Sequence, residues 1–433
     1  MNDKKEHLIG LDFIRIFACI VILLYHLGIS SGGFLLVCTF FTLSGYLSCY
    51  SAFNNKDFSL KKYYKNLFTK FYIPLLVVVS ITLIIAKLIP NLVWLNLKPE
   101  TTSVIFGYNN FWQLFTNQDY FTKNVNSPFM HFWYIAILFQ FRLIFPLLLK
   151  FCKNIDNQVG KHTSTVFLGI FAAASTLYFY RMSLKYDIMS VYCDTFTRFF
   201  SIIFGILLAV IHRKYNFKIS NKFINHKKLV YIFYFILLTF LCKCVSINAD
   251  SYALYMILAT IISVRLIEYS TYKPAKDFKF ITSLANITYE IYLVQYPILF
   301  YINNTNLSDN LKIIITIILT FIFAIILHFL TAKKFTKKII NYIKTFIITA
   351  IIAIGGIIFA NEKDHTEEMK ELETRLTENQ KIIEQNYKEY VSNLNKEKEN
   401  LDSILESINN DESLLADKVA QLHVVGVGDS VML

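Results

Sequence analysis

The sequence predicts an all-α polytopic membrane protein: about eleven transmembrane helices, a helical stalk beyond the last, and the start of an incomplete α/β domain at the C-terminus. Three observations predict it. Hydrophobic residues make up 55% of the 433 positions and charged ones only 17%, where an ordinary soluble domain carries about 25% charged residues. Apolar runs recur at the length of roughly 20 residues that a hydrocarbon core of about 30 Å demands. Charge is split: from Asn361 onward 8 Lys/Arg stand against 17 Asp/Glu, whereas the preceding residues hold 35 basic and 14 acidic side chains.

In order, the predicted spans are 8–28, 32–53, 71–93, 132–151, 163–180, 195–212, 229–247, 252–269, 281–302, 311–332 and 342–360. The first lacks a small-residue cleavage site and is long enough to span, so it reads as a retained helix and not a signal peptide. The loops give an independent check. Segments 54–70, 150–162, 212–228, 271–280 and 333–344 contain 5, 3, 6, 3 and 5 Lys/Arg, and the alternate segments 94–131, 181–190, 248–251 and 303–310 contain 2, 2, 0 and 0. Basic loops stay in the cytoplasm, which puts the N-terminus inside and, after an odd number of spans, the acidic tail outside. Basic clusters between apolar runs fit anionic lipid and not nucleic acid. All seven cysteines (Cys19, Cys38, Cys49, Cys152, Cys193, Cys242, Cys244) lie in or beside apolar runs, which argues against a disulfide framework and against a metal site.

The tail opens with a Gly- and Pro-free stretch, roughly 362–418, in which Tyr387, Leu394, Leu401, Ile408, Leu415 and Leu422 fall seven apart like one seam of a coiled coil. Glu397, Asp411 and Lys418 occupy companion positions, so a self-associating stalk and a single solvated helix both fit. The chain then changes to VVGVGDSVML, where Val424–Val427 reads as a buried strand and Gly428-Asp429-Ser430 as the turn after it.

Ionisable residues within a span are costly and mark functional interiors. The first span holds three. Arg15 and His26 are eleven residues apart, about 1100° or three turns plus 20°, so they share one helix face about 16 Å apart along the axis. Asp12 precedes Arg15 at the i,i+3 spacing of a charge partner. Arg142, Asp194, Arg198, Arg265, Glu290 and His328 are further intramembrane charges. Some of these read as snorkelling ends or structural ion pairs, and His328, near the end of its span, reads as structural.

These residues resemble a family of membrane acyltransferases, acyltransferase family 3. The resemblance lies in segments that occur in order over roughly residues 8–335: Arg15 and His26 with ten residues between them; FFTLSGYL from Phe40 to Leu47; SPFMHFWYIAILFQFRLIFPLL with Trp133, Gln140 and Pro146; YCDTFTRFFSIIFG with Asp194, Thr195, Arg198 and Gly205; and TYEIYLVQYPI with Tyr289, Tyr292 and Pro297. Arg142 departs from the pattern, since many relatives carry an aromatic residue there. One branch of the family adds a span, a linker and an extracellular SGNH hydrolase-type domain opening with a strand and Gly-Asp-Ser, and VVGVGDSVML is similar to that opening. The implied divisions are an acyltransferase-like membrane domain at 1–341, an additional span at 342–360, an extracellular linker at 361–422 and the truncated SGNH-type domain at 423–433.

That resemblance implies a cell-membrane enzyme, an O-acetyltransferase of a Gram-positive bacterium. The donor substrate would be cytoplasmic acetyl-CoA, with no tightly bound cofactor. The acceptor would be a hydroxyl of cell-wall glycan, most simply peptidoglycan. His26 is expected to serve as base or transient acyl carrier, with Asp12 or Glu290 orienting it. Arg15 and Arg198 are expected to contact the anionic donor, and Tyr289 to relay a proton. Ser430 is the expected nucleophile only in a chain that carries the complete SGNH-type domain. Acylation of capsule or a secondary wall polymer is a neighbouring reading. A transporter with the buried charges along its path belongs to a different class, weakened by the lack of an inverted repeat, and a membrane sensor is a third.

Overall fold

Without water to satisfy them, backbone polar groups in a bilayer must pair within their own helix, and the described residues contain helices and no strand. The computed structural model describes residues 8–53, 58–89, 94, 96–116, 127–215, 227–246, 251–271, 278–332, 335–362 and 366–409. The chain divides into two units, Met1–Lys363 and Asp364–Leu433.

In the first unit α1 spans Ile9–His26, and a short 3-10 turn leads into α2, Leu36–Phe53. α3 (Leu60–Leu67) runs through a π turn, Phe68–Tyr72, into α4 (Ile73–Leu88). Two short helices, α5 (Leu97–Ile105) and α6 (Asn109–Phe115), precede α7 (Trp133–Gln158) and α8 (Thr163–Ser183). After α9 (Ile188–Tyr192) come α10 (Thr195–Tyr215), α11 (Lys227–Cys244) and α12 (Tyr252–Ser270). The unit closes with α13 (Lys279–Asn286), α14 (Thr288–Asn303), α15 (Asp309–Thr331) and α16 (Lys338–Asn361). Among the described residues nine helical segments are long and apolar enough to cross a membrane. The remaining two predicted spans are the 18-residue α11 and the segment 281–302, which breaks at Ile287 into α13 and α14. The helix that carries the third predicted span begins earlier than expected, because a polar, lysine-rich helical stretch from Leu60 runs without a break into the apolar Ile73–Leu88.

α2 and α10 form the tightest crossing. A Cβ on Gly205 would lie 2.0 Å from the Thr42 carbonyl oxygen, and one on Gly45 would lie 2.2 Å from that of Ile202. Two backbones therefore touch, which is how small residues drive association where lipid removes the hydrophobic drive. Buried hydroxyl bridges tie each of the two helices to α12: Thr39 Oγ1 to Ser263 Oγ at 2.8 Å and Ser201 Oγ to Thr260 Oγ1 at 3.0 Å.

The two short helices fill what the sequence offered only as a loop. Glu100, Asn109, Asn110 and Gln113 are fully buried there. Gln140 Nε2 donates to Asn110 Oδ1 at 2.9 Å, Asn110 Nδ2 to Thr195 Oγ1 at 3.0 Å, and Thr195 Oγ1 to Gln140 Oε1 at 2.8 Å, a closed ring of three side chains. Gln113 Nε2 holds the Met130 carbonyl at 2.6 Å, which fixes the turn before α7. Trp94 Nε1 donates to Glu100 Oε2 at 2.9 Å and the Ser127 hydroxyl to Glu100 Oε1.

In the second unit α17, Thr366–Asn409, is one 44-residue helix. The seam residues Tyr387, Leu394 and Leu401 are exposed on it. The side chain of Ile408, together with Leu415, Leu422, the Val424–Val427 strand and the Gly428-Asp429-Ser430 turn, lies outside what is described.

Gly205→Ala should destabilise the protein by about 3 kcal/mol or more, at or beyond the usual range for overpacking, because backbone and not a side-chain tip must move. Gly356, with nothing within 4 Å of its Cβ position, should tolerate Ala with a gain of up to about 1 kcal/mol. Thermal midpoints in one detergent test both. Burial pushes the Glu100 carboxyl up to about 7 from its ordinary 4.5, outside the spanning segments, against the smaller opposing effect of its two hydrogen-bond donors. The folded state thus holds a proton that the unfolded chain releases near pH 4.5. Stability should fall as pH rises from about 4.5 to about 7, by on the order of 3 kcal/mol in all, and Glu100→Gln should remove that slope from a plot of midpoint against pH.

Candidate functional site

α1 stops immediately after His26. Leu27 and Gly28 turn back to the carbonyls of Leu23 and Tyr25, and Gly28 takes φ +74°, the left-handed turn that commonly ends a helix. The His26 ring therefore stands at the helix terminus. It meets Tyr296 of α14 edge-on at 5.2 Å and His131 at 6.1 Å between ring centroids.

His131 is a residue that the sequence reading passed over. It lies in the 3-10 turn Met130–Phe132 at the start of α7, fully buried and stacked 5.0 Å from Tyr296. Its Nε2 lies 2.9 Å from the Tyr292 carbonyl, and Tyr292 Oη returns a hydrogen bond to the His131 carbonyl at 2.7 Å. A carbonyl only accepts, so Nε2 carries the proton and Nδ1 keeps the lone pair. That Nδ1 is buried with no hydrogen-bond partner. Pro297, inside α14, lacks the N–H that would engage the Leu293 carbonyl, and the same imidazole interacts with that carbonyl. The signal available in the sequence was the position of His131 two residues before Trp133, within a segment already recognised.

A cavity of about 310 Å³ adjoins this pair and is lined by Arg15, Lys70 and Arg142, with Tyr134, Tyr289 and Tyr292 among its walls. Tyr292 is shared, since its ring also lies 5.1 Å from that of His131. The π turn presents Lys70 and Phe71 to the cavity, a common use of such turns. Arg15 Nη1 lies 3.4 Å from Asp12 Oδ1, as the i,i+3 spacing predicts. Arg142 stands over the Phe71 ring at 4.8 Å, and no carboxylate pairs with it among the described residues. Three cations around one polar hollow attract a polyanion, and the Nδ1 lone pair beyond the tyrosine wall can attack an electrophilic carbon or accept a proton.

The other predicted site residues, apart from Tyr289 of the cavity wall, fall elsewhere. Arg198 does not join Arg15. It lies at the opposite end of the bundle, three residues into α10, fully buried in a cage of Tyr192, Phe179 and Trp133 at 4.2, 5.5 and 5.9 Å, with Nε donating to the Tyr192 carbonyl at 2.7 Å. Asp194 caps α10, accepting from Thr197 N at 2.9 Å. Arg265 is paired with Glu268, four helical positions from Tyr269 whose ring it overlies. Glu290 does not orient His26: its Oε1 is held by His328 Nδ1 at 2.8 Å. Asp12, committed to Arg15, does not orient it either. Tyr289 Oη donates to the Phe71 carbonyl at 2.7 Å, and its ring stacks 5.1 Å from Phe71, so this residue holds the π turn against α14. Ser430 lies outside the described residues. No cluster of metal-ligating side chains occurs among the described residues.

Against known proteins, the family model described as an acyltransferase domain matches residues 8–360. The O-acetyltransferase OatA of Staphylococcus aureus strain NCTC 8325 is 26% identical over 332 residues, 72% of this chain and 54% of that protein. The peptidoglycan O-acetyltransferase OatA of Listeria monocytogenes is 27% identical over 317 residues, 68% of this chain and 50% of the relative. A putative O-acetyltransferase of S. aureus strain COL is 29% identical over 225 residues, half of this chain and 36% of that protein. The matched part of the chain spans about half the length of the first two relatives. No solved structure matches.

Proposed function

We propose that this chain, which belongs to the acyltransferase family matched over residues 8–360, is the membrane part of an O-acetyltransferase that moves acetyl groups from cytoplasmic acetyl-CoA to cell-wall glycan outside, with peptidoglycan as the acceptor. The observation that carries this reading is the cavity of Arg15, Lys70 and Arg142 set against the His26–His131 pair. CoA is a polyanion attached to a slender thiol arm. The cations suit its phosphates, through charge-assisted hydrogen bonds that are roughly twice as strong as neutral ones. The aromatic walls suit the arm, and the imidazoles suit its thioester.

In this mechanism His26 attacks the thioester carbonyl while His131 Nδ1 takes the proton that His26 releases. The C–S bond breaks, the thiolate recovers a proton as free thiol, and the acetyl group rests on imidazole. A hydroxyl then attacks the acetyl carbon, and its proton returns to the histidine pair. The proposed orientation follows the basic loops, with the Arg15 end in the cytoplasm and the stalk outside. Where an SGNH-type domain follows Ser430, that serine is the proposed last carrier before the glycan. The names of the two OatA relatives support O-acetylation, and that of the Listeria protein supports the peptidoglycan acceptor.

Acetyl-CoA should raise the thermal midpoint saturably, since a ligand at a hundred times its dissociation constant stabilises the folded state by about 2.7 kcal/mol. Arg142→Ala should weaken that binding roughly tenfold or more, the worth of one hydrogen bond to a charged group. A folded sample whose midpoint ignores both acetyl-CoA and CoA would refute the donor. His26→Ala and His131→Ala should each keep the ligand-induced shift while losing release of CoA thiol from acetyl-CoA. Turnover at the wild-type rate in either variant would remove that histidine from the mechanism.

A further inference from the structure

Gln295 is 1% exposed, and neither its Oε1 nor its Nε2 has a hydrogen-bond partner. Burying an amide unpaired costs about 1–3 kcal/mol by mutational measure, so a side chain kept this way calls for a reason. Its place on α14 supplies one. α1 and α14 run parallel: Cys19 Sγ donates to the Thr288 carbonyl at 3.5 Å, and further along both helices the His26 and Tyr296 rings meet at 5.2 Å. His26 follows Cys19 by seven residues, and Gln295 follows Thr288 by seven. Seven residues turn a helix by about 700°, within 20° of two full turns. Gln295 therefore sits on the face of α14 directed at α1, at the level of His26.

We infer that Gln295 is a catalytic residue of acetyl transfer, donating from Nε2 to the oxyanion that forms when His26 attacks the thioester; the inference rests on the acyltransferase reading above. As the new C–N bond forms, the carbonyl π pair moves onto oxygen. The amide N–H binds that charge. The pair then returns as the C–S bond breaks and the thiolate leaves. A donor with no partner in the resting protein has no hydrogen bond to give up when the oxyanion appears, which is what makes a preorganised donor effective in a water-poor site. The chemical class it selects is an acyl thioester or acyl ester, whose carbonyl oxygen must become tetrahedral alkoxide, over a phosphoryl or glycosyl donor.

The experiment uses the full chain in detergent with acetyl-CoA, following CoA thiol release in a single turnover alongside the thermal midpoint. Gln295→Met keeps the volume and removes the donor. Its midpoint should be unchanged or higher, because an unpaired buried amide has been replaced by an apolar isostere. The acetyl-CoA-induced shift should be unchanged, and the rate should fall about 10²–10³-fold, the usual cost of one oxyanion donor. Gln295→Asn keeps an amide but withdraws it by one methylene. It should fold, bind and lose at least about tenfold in rate, so the inference stays testable if the methionine variant does not fold. Wild-type rates in either folded variant would reduce Gln295 to a tolerated packing residue. If the wild-type chain binds acetyl-CoA but releases no thiol, the acyl-transfer reading itself falls and takes this inference with it.

Discussion

Inside a bilayer a polar group cannot turn to water, and that constraint organises this molecule. The ring of Gln140, Asn110 and Thr195 is closed on itself for this reason. Arg198, with no carboxylate partner among the described residues, is instead surrounded by three aromatic faces and a backbone carbonyl. Cation–π contacts of this kind gain strength as they lose solvent. Against such thorough pairing the exceptions are conspicuous. His131 Nδ1 of the histidine pair, Arg142 Nε at the cavity and both ends of the Gln295 amide are buried without partners, as are atoms outside the cavity lining such as Arg198 Nη2 and the Thr101, Thr316 and Thr320 hydroxyls.

α14 is the element through which the site is assembled. It begins after a break at Ile287 and contains Pro297. Its successive faces serve different neighbours: Tyr289 holds the π turn, Glu290 meets His328 on α15, Tyr292 locks His131, and Tyr296 lies between the two imidazoles. A single helix thus sets both the cationic cavity and the histidines.

Much of the fold was legible because the bilayer imposes a length and a polarity that any spanning helix must show. The same logic hid the exceptions. α11 and the segment broken at Ile287 carry enough apolar residues to span, and apolar count does not reveal where a helix stops. α5 and α6 were invisible because their buried face is polar, with Gln113 bonded to Asn109, Glu100 to Trp94 and Ser127, and Asn110 to Gln140 and Thr195, so no hydrophobic periodicity marked them. Arg15 was found from helix geometry, since its partner Asp12 and its face toward His26 follow from spacing within one element. His131 and Gln295 were not, because their significance arises only when α1, α7 and α14 meet. Spacing could not assign Glu290 either: its partner is 38 residues away on another helix.

The π turn at Phe68–Tyr72 has a consequence for how this protein can vary in length. Such a turn accommodates one residue more than an α-helical path between the same points. Losing a single residue there would restore ordinary helix and leave both flanks in phase. Losing one anywhere else between Leu60 and Leu88 would rotate every later side chain by about 100° and turn the packed face of α4 toward lipid. Insertions and deletions in this span should therefore concentrate at Phe68–Tyr72, and related chains one residue shorter should close their alignment gap there.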